Sequence, residues 1–285
     1  MKKASAILCG DIHIREKQPL SRTDVFMEAQ WEKLSFIKEL QEQHLCPVLC
    51  SGDFFDVWNP SLFLLSKVID RMPNQFYTVY GQHDLPFHNK SLANKCGLWA
   101  LQKAGKVTIL YTGNWGDEPP EIGRKIGDRY VHVWHKMTYK TEPPFPGCVE
   151  PKARSLLYKY PQFDLIVTGD NHEPFTQTYE GRLLVNVGSM MRTTAKQIDY
   201  KPAVWLWYAD TNTVEKVYLP IKHGVVSREH IEEAEVRDSR IDAFIDTLNK
   251  KGLDFVNFEQ NLDVFMQTNR VRRSVKELTY KLIEK

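Results

Sequence analysis

The feature that most constrains this chain is a short apolar run that ends in acidic residues. Residues 47–50 read PVLC, and Gly52, Asp53 and Asp56 follow within six positions. An ionised aspartate at the mouth of a buried strand is costly unless a cation or another partner compensates its charge. The position of Asp53 therefore predicts a compensating group close to the end of this strand.

Three further apolar runs end in a similar way. Each is short, has strand-like composition, closes on glycine and is followed by carboxylate, amide or imidazole side chains. The side chains are Asp11 and His13 after the first run, Gln82, His83 and Asp84 after the third, and Asp170 and His172 after the fourth. Ligands gathered from several strand ends are how an α/β fold makes a site. The four runs together predict one shared site.

The alternation of strand-like and helix-like segments predicts the fold class. Helical stripes at about 23–44, after Ser61 and at 91–105 separate the early apolar runs, which indicates a mostly parallel sheet with crossover helices. Strand-like segments then dominate, at 130–134, 164–168, 183–187, 203–208 and 214–220. They predict a second sheet packed against the first. We therefore expect an α/β fold, a two-sheet β-sandwich flanked by helices, over residues 1–221.

A small C-terminal helical region is expected beyond the sandwich. Composition changes near Lys222, and three amphipathic stripes follow at 241–248, 258–266 and 271–282. We expect residues 222–285 to form a helical cap on the core, with a partner-binding appendix as the alternative.

Composition limits the location and the partners. Five cysteines without a C-x-x-C pair argue against a disulfide framework and favour a reducing cytoplasm, in a cell or a phage-infected host. No apolar run approaches the roughly 20 residues of a membrane span, so no membrane association is expected. A net charge of +2 is too small to indicate a nucleic-acid binder, although metal ions can supply charge that meets phosphate.

The candidate residues, joined by His135, are typical of a dinuclear hydrolase. In such a site two cations share one carboxylate and hold both oxygens of an in-line displacement. Nitrogen and oxygen ligands without thiolate favour Mn, Fe or Zn.

Five motifs of this chain resemble those of the calcineurin-like metallophosphoesterases. They are residues 11–13 (DIH), 52–56 (GDFFD), 81–84 (GQHD), His135 and 169–172 (GDNH). More narrowly, GDFFD followed by NPS at 59–61, and NVGS at 186–189, resemble the SbcD-type DNA repair exonucleases and their phage-encoded relatives. The resemblance covers residues 4 to about 220.

The resemblance implies roles for individual residues. It implies one metal held by Asp11, His13, Asp53 and His172, and a second held by Asp53, Gln82, His135 and Asp170. His83 would stabilise the developing charge or protonate the leaving oxygen, and Asp56 would orient His83. Asp84 is expected to brace the loop.

Two positions depart from the family pattern, which usually has Asn in place of Gln82 and His in place of Asp170. Both side chains can still ligate, and the anionic oxygen of Asp170 should favour Mn or Mg at the second site. We expect two divalent ions, with Mn preferred and Fe, Zn or Mg as the alternatives.

Three basic residues beside the motifs are candidate substrate contacts. Arg15 and Arg192 could reach a phosphate, because guanidinium groups pair well with phosphate oxygens, and surface placement is the alternative. His88 could touch substrate or be a solvated loop residue.

The leading functional interpretation is a metal-dependent phosphodiesterase acting on DNA, as exonuclease or endonuclease. The resemblance also implies a homodimer and an SbcC-type ATPase partner. The alternatives are a phosphoesterase for a small nucleotide or metabolite, since this fold hosts many substrates, and a non-catalytic scaffold with a decaying metal site.

Overall fold

A computed structural model describes residues 2–232, 234–236, 238–239, 258–269 and 271–283. The chain divides into two compact units, Met1–Ser227 and Arg228–Lys285. None of the helices that it describes has the length and apolarity needed to cross a bilayer.

Eleven strands are present in the described part of the chain, and they form two sheets. They are β1 Ala6–Cys9, β2 Val48–Cys50, β3 Phe76–Thr78, β4 Thr108–Ile109, β5 Arg124–Ile126, β6 Arg129–Trp134, β7 Leu165–Thr168, β8 Phe175–Tyr179, β9 Arg182–Asn186, β10 Ala203–Tyr208 and β11 Thr213–Tyr218. The first sheet has the order β11-β10-β1-β2-β3-β4, and the second has the order β5-β6-β7-β9-β8. The expected α/β fold with two sheets is confirmed.

The helices also largely follow the sequence pattern. They are α1 Phe26–His44, α2 Leu62–Arg71, α3 Gly97–Lys103, α4 Ala153–Lys159, α5 Phe258–Thr268 and α6 Arg273–Ile283, with 3-10 turns at Pro86–His88, Lys90–Lys95 and Ala195–Gln197. The helices expected at 258–266 and 271–282 are confirmed, whereas the stripe at 241–248 lies outside the described residues.

Two expectations about elements were wrong. The segment 91–105 is not one helix, because a 3-10 turn precedes α3 and the Cys96 thiol sulfur accepts the Trp99 N–H at the N-terminus of α3. Strands β10 and β11 do not belong to the second sheet. Instead β10 pairs antiparallel with β1, so it extends the first sheet at its edge.

Alternating side chains along the strands divide the core into three layers. On β1, Leu8 points between the two sheets and meets Val133 and Val167, while Ile7 points outward to the layer that holds α1. The outer face of the second sheet packs on Leu157 of α4. Each sheet is therefore covered on its outer face as well as on the face between the sheets.

Register brings the carboxyl ends of the central strands level. Cys9, Cys50 and Thr78 are neighbours across the parallel strands β1, β2 and β3. Trp134, Thr168 and Asn186 are neighbours across β6, β7 and β9. The chain leaves each of these strands at the same edge of the sandwich, which places the polar loops together.

Candidate metal centre

The loops after β1 and β2 are joined along their main chains. The Asp11 N–H donates to the Gly52 oxygen at 3.1 Å, and the His13 N–H donates to the Asp53 oxygen at 3.0 Å. These bonds continue the pairing of the two parallel strands beyond their ends. Asp11, His13 and Asp53 are therefore held by backbone rather than by flexible side-chain contacts.

Four predicted ligands have a backbone conformation that non-glycine residues rarely adopt. Their φ angles are +45° at Asp11, +48° at His13, +49° at Asp53 and +72° at Asp170. Left-handed conformations cost a non-glycine residue about 1–2 kcal/mol each. Such strain persists where the surroundings over-determine it, typically at functional sites. Here it occurs at four of the seven predicted ligands.

Two glycines allow the loops to approach so closely. Gly52, with φ of +98°, would place an added Cβ 2.7 Å from the His135 Nδ1 atom. A Cβ on Gly81 would overlap both Oδ1 and the main-chain nitrogen of Asp53. Any side chain at these positions would displace the predicted ligands.

The Asp53 carboxylate lies between two histidines. Its Oδ2 atom is 3.6 Å from the Nε2 atom of His13 and 3.6 Å from the Nε2 atom of His135. Its Oδ1 atom accepts the main-chain N–H of His83 at 3.0 Å. Distances of 3.6 Å are too long for hydrogen bonds. They fit ligands that share a cation, because atoms bound at about 2.1 Å to one ion lie roughly 3.0–3.6 Å apart.

His13 provides the clearest test of whether these residues fit a metal. The residue is 8% exposed, and neither ring nitrogen has a hydrogen-bond partner. Buried polar atoms without partners are rare in native structures. Burial, followed by the charge of neighbouring His172, lowers the pKa of His13 well below its ordinary value, which keeps the ring neutral. A neutral imidazole with an unused lone pair is a metal ligand.

The predicted second site holds His135 and Gln82. The His135 Nδ1 atom is 2.6 Å from the Ser51 carbonyl oxygen, which can only accept, so Nδ1 carries the proton. The Nε2 atom then presents a lone pair to the Gln82 Oε1 atom, 2.6 Å away. Two acceptor atoms this close repel each other, and a cation bound by both would relieve the repulsion once they had moved apart to about 3 Å. The Gln82 Nε2 atom donates to Asp170 Oδ1 at 2.7 Å.

The buried carboxylates also indicate that cations bind at this site. Asp11 is fully buried, and both its carboxylate oxygens accept the Asp170 N–H, at 3.0 and 3.1 Å. Burial, and after it the neighbouring Asp53 carboxylate, raises the pKa of Asp11 well above its ordinary value. A divalent ion beside both carboxylates would remove this repulsion.

Three sets of ligand atoms lie within 4.8 Å of one another, in the part of the chain that the structure describes. They are Asp11, His13 and His172; His13, Asp53 and His83; and Asp11, Asp53 and His135. Five of the seven predicted metal ligands are thus brought together from both sheets, whereas Asp170 is in none of these sets and is linked to His135 through Gln82. Their imidazole nitrogen and carboxylate oxygen atoms are ligands typical of divalent ions such as Mn, Fe and Zn.

His172 depends on a residue to which sequence reasoning gave no role. The Asn186 Nδ2 atom donates to the carbonyl oxygens of Asn171 and Glu173, at 2.7 Å each. It thereby fixes the turn on either side of the exposed His172. The sequence signal for Asn186 was its place as the first residue of the NVGS motif, to which no contact had been assigned. The Ser51 carbonyl, which orients His135, is a main-chain group and leaves no sequence signal.

His83 and Asp56 are adjacent, but not through the predicted pair of side chains. The His83 Nδ1 atom is 2.8 Å from the main-chain oxygen of Asp56. The Asp56 carboxylate instead accepts from Arg15 Nη1 at 3.1 Å and lies 3.8 Å from His13 Nδ1. The orienting group is therefore a carbonyl, which keeps the proton on Nδ1 and leaves Nε2 of the exposed His83 ring for substrate. The His83 ring centroid is 4.8 Å from that of His13.

Asp84 has the bracing contacts that were expected. Its fully buried carboxylate accepts the N–H groups of Phe54, Phe55 and Gly81, at 3.2, 3.0 and 3.1 Å. These bonds tie the loop after β2 to the loop after β3.

The three candidate substrate contacts have different surroundings. Arg15 reaches the site through its bond to Asp56. His88 is exposed and packs edge-on against Trp115, with ring centroids 5.8 Å apart. Arg192 is buried, and its guanidinium donates to the carbonyl oxygens of Ile198 and Lys222 at 3.1 and 2.6 Å. Those bonds use Nη1 and Nη2, while the buried Nε atom of Arg192 has no hydrogen-bond partner.

Comparison with known proteins identifies the family. The model of the calcineurin-like phosphoesterase superfamily domain matches residues 5–201, which include every predicted metal ligand. The chain belongs to the calcineurin-like phosphoesterase superfamily. Membership supports a metal-dependent hydrolase of phosphoester bonds. A comparison with curated protein sequences finds no match.

Several solved members of the fold are similar to this superfamily chain. An archaeal phosphodiesterase is 14% identical, with 75% of this chain and 99% of that chain covered at a TM-score of 0.43. Vacuolar protein sorting 29 of Cryptosporidium parvum is 16% identical, with 76% and 97% covered at 0.38. A metallophosphoesterase of Sphaerobacter thermophilus is 14% identical, with 76% and 89% covered at 0.39.

Proposed function

We propose that this chain is a phosphodiesterase with two divalent ions that cleaves DNA, as an exonuclease or endonuclease of the SbcD type. The observation that carries the proposal is the placing of Asp53 Oδ2 at 3.6 Å from the Nε2 atoms of both His13 and His135. One carboxylate between two imidazoles is the arrangement of a ligand shared by two cations.

The ligands support two ions of intermediate hardness, and we propose Mn for both. Asp11, His13, Asp53 and His172 would hold the first, and Asp53, Gln82, His135 and Asp170 the second. When bound, such ions neutralise phosphate charge and generate a nucleophile from water. Carboxylate, amide and imidazole ligands without thiolate fit Mn, with Fe, Zn and Mg as the alternatives.

The chain's own residues supply proton transfer and orientation. The Asp56 carbonyl keeps the His83 proton on Nδ1, which leaves Nε2 to hold or deliver a proton at the leaving oxygen. Arg15 donates from Nη1 to the Asp56 carboxylate and from Nε to the Lys17 carbonyl oxygen, so its three other N–H groups remain for a phosphate oxygen. The Gln82–Asp170 bond fixes both side chains before substrate binds.

The choice of DNA as substrate rests on the motifs after β2 and β9. The NPS motif, which follows GDFFD, immediately precedes α2, and the Ser61 hydroxyl accepts the Leu64 N–H at 3.0 Å at the start of this helix. The same resemblance supports a homodimer, an SbcC-type ATPase partner and a cytoplasmic location. We include these in the proposal, with residues 222–285 as the cap or partner-binding region.

Hydrolysis tests the proposal. The purified chain with Mn²⁺ is incubated with linear duplex DNA, single-stranded DNA and a small chromogenic phosphodiester, beside its His83→Ala variant. We expect the parent to degrade DNA and the variant to be slower by about 10²–10⁴-fold. Cleavage of the small diester alone would indicate a metabolite phosphoesterase and contradict the DNA proposal. No cleavage of any substrate would favour a non-catalytic scaffold.

A further inference from the structure

An exposed aromatic residue follows directly on the loop of His83. Phe87 is 79% exposed, in the 3-10 turn Pro86–His88. Its ring contacts that of Trp58, with centroids 5.9 Å apart and planes inclined by 49°. The His83–Asp56 contact joins the same two loops, four residues before Phe87 and two before Trp58. The aromatic pair and the catalytic histidine are therefore positioned by the same pair of loops.

The backbone at Phe87 has an unfavourable conformation for its residue type. Phe87 has φ of +51° and ψ of +30°, and His88 follows with φ of +57°. Bulky residues are rare in this left-handed region, which glycine and asparagine occupy more readily. An exposed phenylalanine contributes little to the core, so folding does not explain its presence here. Strain of this kind is typical of residues that contact a ligand.

The neighbouring rings give the exposed ring a firm support. Trp58 and Trp115 are both half-buried and pack against the core of the first sheet. Trp58 supports Phe87, and Trp115 supports His88 at 5.8 Å. We name these four side chains the aromatic strip. Its supporting rings are fixed by the core, while Phe87 and His88 face solvent.

We propose that Phe87, supported by Trp58, stacks on an unpaired nucleobase beside the phosphate that is cleaved. The inference rests on the proposed DNA phosphodiesterase function and narrows its substrate to single-stranded or frayed ends. Aromatic side chains stack on bases of any sequence, so this contact needs no base-specific hydrogen bonds. Bases inside a duplex have both faces covered by neighbouring bases, and a blunt end opens only the outer face of its terminal pair, so fully paired duplex would be the poorer substrate.

Three substitutions separate stacking from general apolar contact. Phe87→Ala removes the ring, Phe87→Leu keeps apolar volume without a flat face, and Phe87→Trp enlarges the face. Tyr158→Ala is the matched control, since Tyr158 is 72% exposed on α4. KM and kcat are measured with Mn²⁺ on a fluorescent single-stranded oligonucleotide, on its blunt duplex and on a small chromogenic phosphodiester.

The alanine and leucine variants should raise KM for the single strand about ten-fold, the effect of one lost stacking contact. Their ratio of kcat/KM for single strand over small diester should fall by the same factor. Phe87→Trp and Tyr158→Ala should keep the parent's ratio. Phe87→Asn should melt at or above the parent's Tm although its KM rises, because asparagine tolerates this backbone.

Several results would overturn the inference. An unchanged KM in Phe87→Ala, or a parent-like KM in Phe87→Leu, would exclude stacking. A lower molar mass of Phe87→Ala in solution would assign the ring to contact with a second copy of the chain. If the parent cleaves DNA in these cases, the proposed function stands and only the stacking fails. A parent that cleaves the small diester but no DNA would overturn both.

Discussion

Replacing Asp53 by asparagine should abolish the binding of both metal ions. In the parent, an ion present at 100 times its Kd stabilises the fold by about 2.7 kcal/mol, so two ions contribute about 5 kcal/mol. For a unit of this size each kcal/mol shifts Tm by about 2–4 °C. Saturating Mn²⁺ should therefore raise the parent's Tm by about 10–20 °C, and that of Asp53→Asn by less than about 2 °C.

The reason lies in the position of the Asp53 carboxylate. Its Oδ2 atom lies 3.6 Å from a histidine of each proposed site, so one substitution removes a ligand from both. Without metal, Asp53→Asn should melt no lower than the parent. Asparagine keeps an oxygen for the His83 N–H, and the repulsion that contributes to the raised pKa of Asp11 is lost.

The assay is thermal unfolding with and without Mn²⁺, with metal content measured after dialysis. Asp84→Asn is the matched control, because Asp84 is a buried carboxylate that accepts three main-chain N–H groups. It should lower the Tm, since an amide satisfies these donors less well, and still show the full rise with Mn²⁺. If Asp53→Asn kept half of the Mn²⁺-induced rise, Asp53 would serve one ion and the shared-ligand assignment would be refuted.

Three other predictions follow from single contacts. His83→Ala should lower turnover about 10²–10⁴-fold in steady-state kinetics, while metal analysis should show an unchanged metal content. Unchanged turnover would show that His83 takes no part in the reaction. In Gly81→Ala the added methyl group should overlap the Asp53 main chain, which should lower the free energy of unfolding by about 1–3 kcal/mol. The Mn²⁺-induced rise in Tm should be lost, and a rise equal to the parent's would contradict this packing argument. The buried amine of Lys33 donates to Met191 Sδ at 3.3 Å, and burial lowers its pKa from 10.5 to about 7. Between pH 7 and pH 10.5 the unfolded chain therefore binds more protons than the folded chain, so the free energy of unfolding rises with pH in this range. Lys33→Met should therefore raise Tm more at pH 6 than at pH 10, and an equal change at both pH values would refute this.

The sequence was informative where one chemical rule acts locally. Apolar runs that end in glycine and then in ligand residues predicted the ends of β1, β2 and β7, because parallel strands present their carboxyl ends at one edge, whereas β3 ends at Thr78, three residues before Gly81. The ligands Asp11, Asp53 and Asp170 were accessible from this pattern alone. Their left-handed backbone was not, since it arises from hydrogen bonds between separate loops.

Tertiary contacts decide between local alternatives that the sequence leaves open. Arg192 follows a motif, and its burial and its bonds to the carbonyl oxygens of Ile198 and Lys222 have no sequence signal. Asp56 was paired with His83 correctly, although its main-chain oxygen rather than its carboxylate makes the contact. Strand β10 has the same strand-like composition as the strands before it in the sequence. Its place beside β1 depends on pairing between residues about 200 positions apart.

Anomalous diffraction from crystals of the parent soaked in Mn²⁺ tests the central claim most directly. Two anomalous peaks about 3.5–4 Å apart, on either side of Asp53 Oδ2, are the predicted result. One peak should be bound by His13 and the other by His135. A single peak, or two peaks of which only one contacts Asp53, would contradict the two-ion centre on which the proposed function depends.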